Sequence, residues 1–201
     1  MSEKPVRTWA LWILNLLMIG GVGVSLLMTR HHEQQLYGGE EAGQLWGCEA
    51  EGKVNCDIVN TSEWSEVFGV PLFTWAIPVY LLVLALSFLA IRGQRRWLPM
   101  LMGIGAGASL FSGFLYYISV VEIGYVCLWC IRLYGINAAI LVLSALAGAN
   151  RNSLPSGGDL GKALGGFVGL ALVAIIGQQG YRAQLLEGTP EIPELAPVEE
   201  T

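Results

Sequence analysis

An all-α, polytopic membrane protein is the fold class this sequence predicts, and three observations predict it. The 201 residues are 54% hydrophobic and only 13% charged, with a mean hydropathy of +0.54, outside the range of ordinary soluble domains. Five stretches with little or no charge are each long enough to cross a hydrocarbon core of about 30 Å, which takes about 20 helical residues. Lys and Arg gather on one side of the zigzag that those stretches describe. The formal net charge of −5, with no basic stripe, excludes a nucleic-acid partner.

The first span is Thr8 to Thr29. Its apolar core is too long for a secretory signal, and Leu26-Leu27-Met28 runs straight into Thr29-Arg30 with no small-x-small cleavage site, so a retained anchor is expected. The others are Val67 to Ile91, Trp97 to Val121, Ile123 to Asn150 interrupted by Arg132, and Ala163 to Tyr181. With the amino terminus inside, Lys4, Arg7, Arg92, Arg95, Arg96, Arg151 and Lys162 fall inside, against Arg30, Lys53 and Arg182 outside. The expected order is therefore a cytoplasmic segment 1–7, a four-span unit 8–149 with an outer loop 30–66, a cytoplasmic loop 150–162, a fifth span 163–181 and an acidic outer tail 182–201 in a cell (inner) membrane.

Within the spans, Gly103, Gly105 and Gly107 with Ser109 and Gly113 read as a small-residue face for close helix packing, and Gly165 and Gly169 as the face that docks the fifth helix. Trp9, Trp12 and Trp97 on the inner side and Trp75 and Trp129 on the outer side read as an aromatic belt. His31-His32, just past a span, reads as plain interface. Arg132 either snorkels outward or steadies an anion near the cysteines.

The outer loop is rich in Gly and Glu from Gln34 to Val54, with Gly38-Gly39, Gly43, Gly47 and Gly52 as breakers, which predicts irregular structure. After Cys56, Asp57 or a residue from Asn60 through Ser62 is expected to cap a short helix with Glu63 and Glu66 in its first turn. Val59, Trp64, Val67 and Phe68 would give that helix an apolar side, and Gly69-Val70-Pro71 would end it.

Four cysteines carry the chemistry: Cys48 and Cys56, with seven residues between them, and Cys127-Leu128-Trp129-Cys130 at the mouth of the fourth span. The charge bias puts all four on the outer, oxidising side. A Cys-x-x-Cys that opens a helix can cycle between dithiol and disulfide, and the helix dipole makes one sulfur nucleophilic. The looser pair closes a short loop at an entropic cost of about 2.6 kcal/mol, so it forms and reopens readily. Two structural disulfides are the plainer alternative. A zinc site fares worse, because structural zinc favours two short-spaced pairs.

Cys48, Cys56, Ser62, Phe68-Gly69, and a later Cys127-x-x-Cys130 followed by Tyr134 together closely resemble the vitamin K epoxide reductase family over roughly Trp9 to Ala149. The resemblance implies a four-helix bundle around a quinone, here with a fifth transmembrane helix, and an outer half-helix closing the pocket. It implies that Cys127/Cys130 exchange electrons with the quinone (ubiquinone or menaquinone) and Cys48/Cys56 with a thioredoxin-like or DsbA-like protein, and that Ser62 and Tyr134 contribute hydroxyls to the pocket. The stretch Val70-Pro71-Leu72-Phe73-Thr74-Trp75 lacks the amide that vertebrate members place there, so a respiratory quinone is the expected acceptor. Many bacterial relatives carry a fused thioredoxin-like domain after a fifth span. This chain ends at Thr201, and a separate partner polypeptide on the extracytoplasmic side is expected. The alternatives are the reductive direction, on quinone or vitamin K epoxide, and a non-catalytic, disulfide-stapled scaffold.

Overall fold

In the computed structural model, residues 6–38, 48, 51–148 and 156–188 are described. Five helices are long and apolar enough to cross a membrane: α1 (Thr8–Tyr37), α3 (Leu72–Ile91), α4 (Leu98–Ile118), α5 (Leu128–Leu146) and α6 (Gly157–Gly188). A five-residue helix, α2 (Cys56–Asn60), lies in the segment between α1 and α3. A two-residue-strand hairpin follows it, β1 (Glu66–Val67) and β2 (Val70–Pro71).

Four of the long helices close a ring, α1 on α3, α3 on α4, α4 on α5 and α5 back on α1, and α6 packs outside against α3 and α1. Lipid cannot drive apolar faces together, so small residues and interhelical hydrogen bonds do that work. Asn15 and Ser87, both buried, bond across α1 and α3, and Thr29 and Thr74 bond across the same pair at 3.2 Å.

The small-residue face is narrower than the sequence suggested. A Cβ on Gly105 would stand 2.5 Å from the Leu141 backbone nitrogen, whereas one on Gly103, Gly107 or Gly113 would meet nothing within 4 Å. Gly105 alone among them is the α4–α5 contact. Gly105→Ala is expected to cost about 1–3 kcal/mol, since two backbones must part, while Gly103→Ala leaves stability unchanged; thermal melting in detergent compares the two. Gly165 and Gly169 likewise have open space where a Cβ would go, so they do not dock the fifth helix as expected.

Several helix ends differ from the sequence reading. α1 continues two turns beyond Thr29 because His31, His32 and Glu33 are buried against other elements. α6 starts at Gly157, ahead of Ala163, because Ser156 and Asp159 cap each other reciprocally, with Ser156 N–H donating to Asp159 Oδ2 and Asp159 N–H to Ser156 Oγ, both at 3.2 Å. Arg96 reaches the same Asp159 at 3.5 Å and ties α6 to the α3–α4 turn. Trp97 is buried, its indole N–H donating to Gln94 at 3.0 Å, so it is a core residue and not part of an aromatic belt. Lys4, Gly39, Glu40, Glu41, Gly43, Gly47, Glu49, Arg151 and the tail beyond Gly188 lie outside the described residues.

Candidate active site

A short backbone ladder positions the cysteines. Val54 bridges Val126 in parallel, with Asn55 N–H donating to Val126 O at 3.1 Å and Val126 N–H to Lys53 O at 2.8 Å. Just past the bridge, each chain turns into a helix: Cys56 is the first residue of α2, and Cys127 is the N-cap of α5. Parallel register therefore sets the two cysteine-bearing helix starts side by side. The cap of α2 is Asn55, whose side-chain oxygen accepts from Ile58 N–H at 3.1 Å. For α2 the expected cap is thus corrected, since Asp57 and Asn60 lie within that helix; Ser62 does stand at the N-cap of the short 3₁₀ turn Glu63–Ser65, with Glu63 in its first turn, though its side chain makes no capping bond there.

Cys48 and Cys56 form a disulfide with Cα atoms 5.8 Å apart, within the ordinary range. Cys127 and Cys130 are free and buried. Cys127 caps its own helix, its sulfur accepting Cys130 N–H at 3.2 Å. Hydrogen bonding from the Cys130 thiol first, then from the Cys130 and Trp129 backbone, holds the Cys127 thiol below its ordinary range, against its burial and the nearby Asp57 carboxylate. More of it is thiolate at neutral pH than an ordinary cysteine would be.

Cys130, one turn deeper, opens on a mostly apolar cavity of about 360 Å³ walled by α3, α4, α5 and the α2 segment. Ser62 and Tyr134 both line it. The Ser62 hydroxyl is used locally, donating to Val59 O at 2.9 Å. Two amides also face this space: Asn60 from α2, read from the sequence only as a cap candidate, and Asn137 from α5, for which the sequence carried no signal. Asn137 is fully engaged, its oxygen accepting from Tyr80 at 3.0 Å and its nitrogen donating to Ser112 at 2.9 Å. Asn60 is different: it is 1% exposed, and neither its amide oxygen nor its nitrogen has a partner among the described residues. An orphaned buried amide is costly unless a ligand completes it. Apolar walls with one spare amide fit a planar ring that carries carbonyl oxygens.

Histidines hold this lid in place. His31 Nε2 bonds Asp57 Oδ1 at 2.7 Å, beside Cys56. His32 spans the whole segment, Nδ1 to Asn60 O at 2.6 Å and Nε2 to Glu66 Oε1 at 2.9 Å. Both partners are acceptors, a backbone carbonyl and a carboxylate. The reading of His31-His32 as plain interface is corrected: the rings are 5% and 0% exposed. Beyond them the chain forms no single amphipathic helix. Val59 is buried on the cavity side, a 3₁₀ turn spans Glu63–Ser65, and Phe68 and Gly69 take positive φ at the hairpin tip, the geometry of a primed two-residue turn. Phe68 is 94% exposed there.

Arg132 turns outward, stacking its guanidinium 4.2 Å over the Trp129 ring. It is not among the residues lining the cavity. Trp129 packs at the edge of the core and is not among the residues lining the cavity. Glu33, fully buried, meets Arg182 of α6 through two bonds of 2.7 and 2.9 Å and accepts from Gln178 at 2.5 Å. Arg182 also reaches Glu66 at 3.8 Å, so the fifth helix supports the carboxylate that His32 holds.

No curated protein matches the chain. The family model described as the vitamin K epoxide reductase family matches residues 6–145, well over half the length, and with the five spans and the paired cysteines already in view the chain belongs to that family.

Proposed function

We infer that this chain is a membrane oxidoreductase, as its family membership supports. We propose that it oxidises the dithiol of a separate thioredoxin-like protein on the extracytoplasmic side and passes the electrons to a membrane quinone, supporting disulfide formation. The observation that carries this reading is the Val54–Val126 bridge, which sets the start of the Cys56 helix against Cys127 while Cys130 faces an apolar cavity.

Each exchange is a thiolate attack on a disulfide sulfur. A partner thiolate attacks Cys48, which breaks the Cys48–Cys56 bond; the partner's second thiol then closes its own disulfide and leaves Cys48 and Cys56 as a dithiol. Cys56 attacks Cys127 of a Cys127–Cys130 disulfide and releases Cys130. Cys48 closes on Cys56 and expels Cys127, whose hydrogen bonds make it a good leaving thiolate. Two electrons then rest on Cys127 and Cys130, with Cys48–Cys56 closed, which is the redox state of this structure. A quinone supplies the two-electron, two-proton acceptor when bound. Asn60 would hold a ring oxygen, Tyr134 and the apolar walls would orient the ring, and the α2 lid would exclude water. Asp57, paired to His31, stands ready to take the proton shed as Cys56 becomes a thiolate.

The Cys48–Cys56 disulfide is itself buried, Cys48 at 3% and Cys56 at 0% exposure. A partner therefore reaches it only when the Cys48 side lifts. In quinone-depleted membranes, Cys127 and Cys130 are expected to accumulate as thiols and to reoxidise within a turnover when quinone is restored; thiol-mass labelling reads both. Inner cysteines that stay oxidised without quinone would sink the proposal.

A further inference from the structure

A second cleft, of about 660 Å³, opens between α1, α3 and α6 on the face of α3 opposite the redox cavity: Thr74 and Ile77 line the one, Phe73 and Ala76 the other. No cysteine lines it. Its polarity is graded along the membrane normal. At the cysteine end stand Arg30, Gln178 and Tyr181; deeper in, the walls are Leu81, Leu170 and Val173. The eight residues from Gln178 back to Leu170 span about 12 Å of helix, so an amphiphile lying in the cleft keeps its polar part at headgroup level and its chain in the core.

Two features define the polar part. Arg30 is exposed, its guanidinium lies 5.9 Å over the Tyr181 ring, and among the described residues it meets no carboxylate. An uncompensated arginine at headgroup depth suits a phosphate. Gln178 is 5% exposed. Its amide orientation is fixed, because Glu33 accepts from Nε2, which leaves Oε1 buried and without a donor among the described residues. That oxygen calls for an N–H or O–H from outside the chain.

We propose that this cleft binds one phospholipid from the leaflet at the cysteine end, its phosphate on Arg30 and a hydrogen-bond donor of its headgroup on Gln178. An ethanolamine ammonium or a glycerol hydroxyl supplies that donor. A choline headgroup has none, a quinone brings only acceptors, and a quinol has donors but no anion for Arg30. The lipid would brace α6 beside Glu33 and Arg182, and through Glu66 the lid.

Native mass spectrometry of the whole protein, released from nanodiscs holding equal ethanolamine, glycerol and choline phospholipids, tests this. One ethanolamine or glycerol lipid is expected to stay bound about tenfold more often than choline lipid, the preference that a single hydrogen bond gives. Gly177 lines the cleft, and a Cβ there meets nothing within 4 Å, so Gly177→Leu starts its side chain in open space and directs bulk into the cleft. Gly177→Leu and Arg30→Ala, neither of which touches the lining of the redox cavity, should each cut retention about tenfold. Equal retention of choline lipid, a retained quinol in place of a phospholipid, or undiminished retention in Gly177→Leu would overturn the assignment.

Discussion

Cys130→Ser is expected to abolish multiple turnover, lowering quinone-coupled oxidation of a thioredoxin-like dithiol by about a thousandfold or more, since the group facing the acceptor is gone. The outer pair is untouched by this change. The variant should therefore still oxidise one equivalent of partner per chain in a burst and then stop, because Cys48–Cys56 holds two electrons' worth of oxidising power and has no route to renew it. Cys48→Ser combined with Cys130→Ser sharpens the test. With both escape thiols removed, the bridge at Val54 and Val126 should let mild oxidant lock Cys56 to Cys127, readable as one cross-linked peptide pair. Steady turnover by Cys130→Ser, or no Cys56–Cys127 bond in the double variant, would show that the sulfurs do not work in this order.

Arg182→Ala should be the most damaging change far from the cysteines. It leaves the Glu33 carboxylate, 0% exposed, with Gln178 as its one remaining partner among the described residues, and stranding a buried charge in this way costs about 3–5 kcal/mol. Melting in detergent should fall accordingly, and α6 should become sensitive to protease along its C-terminal turns. Adding Glu33→Gln to Arg182→Ala removes the stranded charge and should recover much of the loss. Recovery would identify electrostatics, and not lost side-chain packing, as the cause.

The five spans and the cysteine pattern were legible because each is local: apolar length and a two-residue spacing can be read within one window. What was not legible depends on partners distant in sequence. His31, His32 and Glu33 look like the polar cuff of a finished span, yet their partners lie 26, 34 and 149 residues away. Their burial, not their helix propensity, carries α1 past Thr29. Asn60 suggested a helix cap because that is its commonest local role, but α2 begins four residues earlier and turns Asn60 toward the cavity. The docking of α6 was sought in Gly165 and Gly169, where helices often meet, and is made instead by Gln178 and Arg182 on a buried carboxylate. Ser62 and Tyr134 were placed by resemblance and both reach the cavity wall, though the Ser62 hydroxyl is already engaged within its own turn.

The Val54–Val126 bridge also sets Cys56 apart from Cys48. Cys56 is a moored post, tethered by main-chain bonds to the segment that leads into Cys127, so under the proposed scheme Cys48 is the sulfur that meets a visitor. Insertions upstream of Cys48 would then alter which visitors can be greeted while leaving the internal handover untouched, and docking specificity can drift across descendants without retuning the electron path.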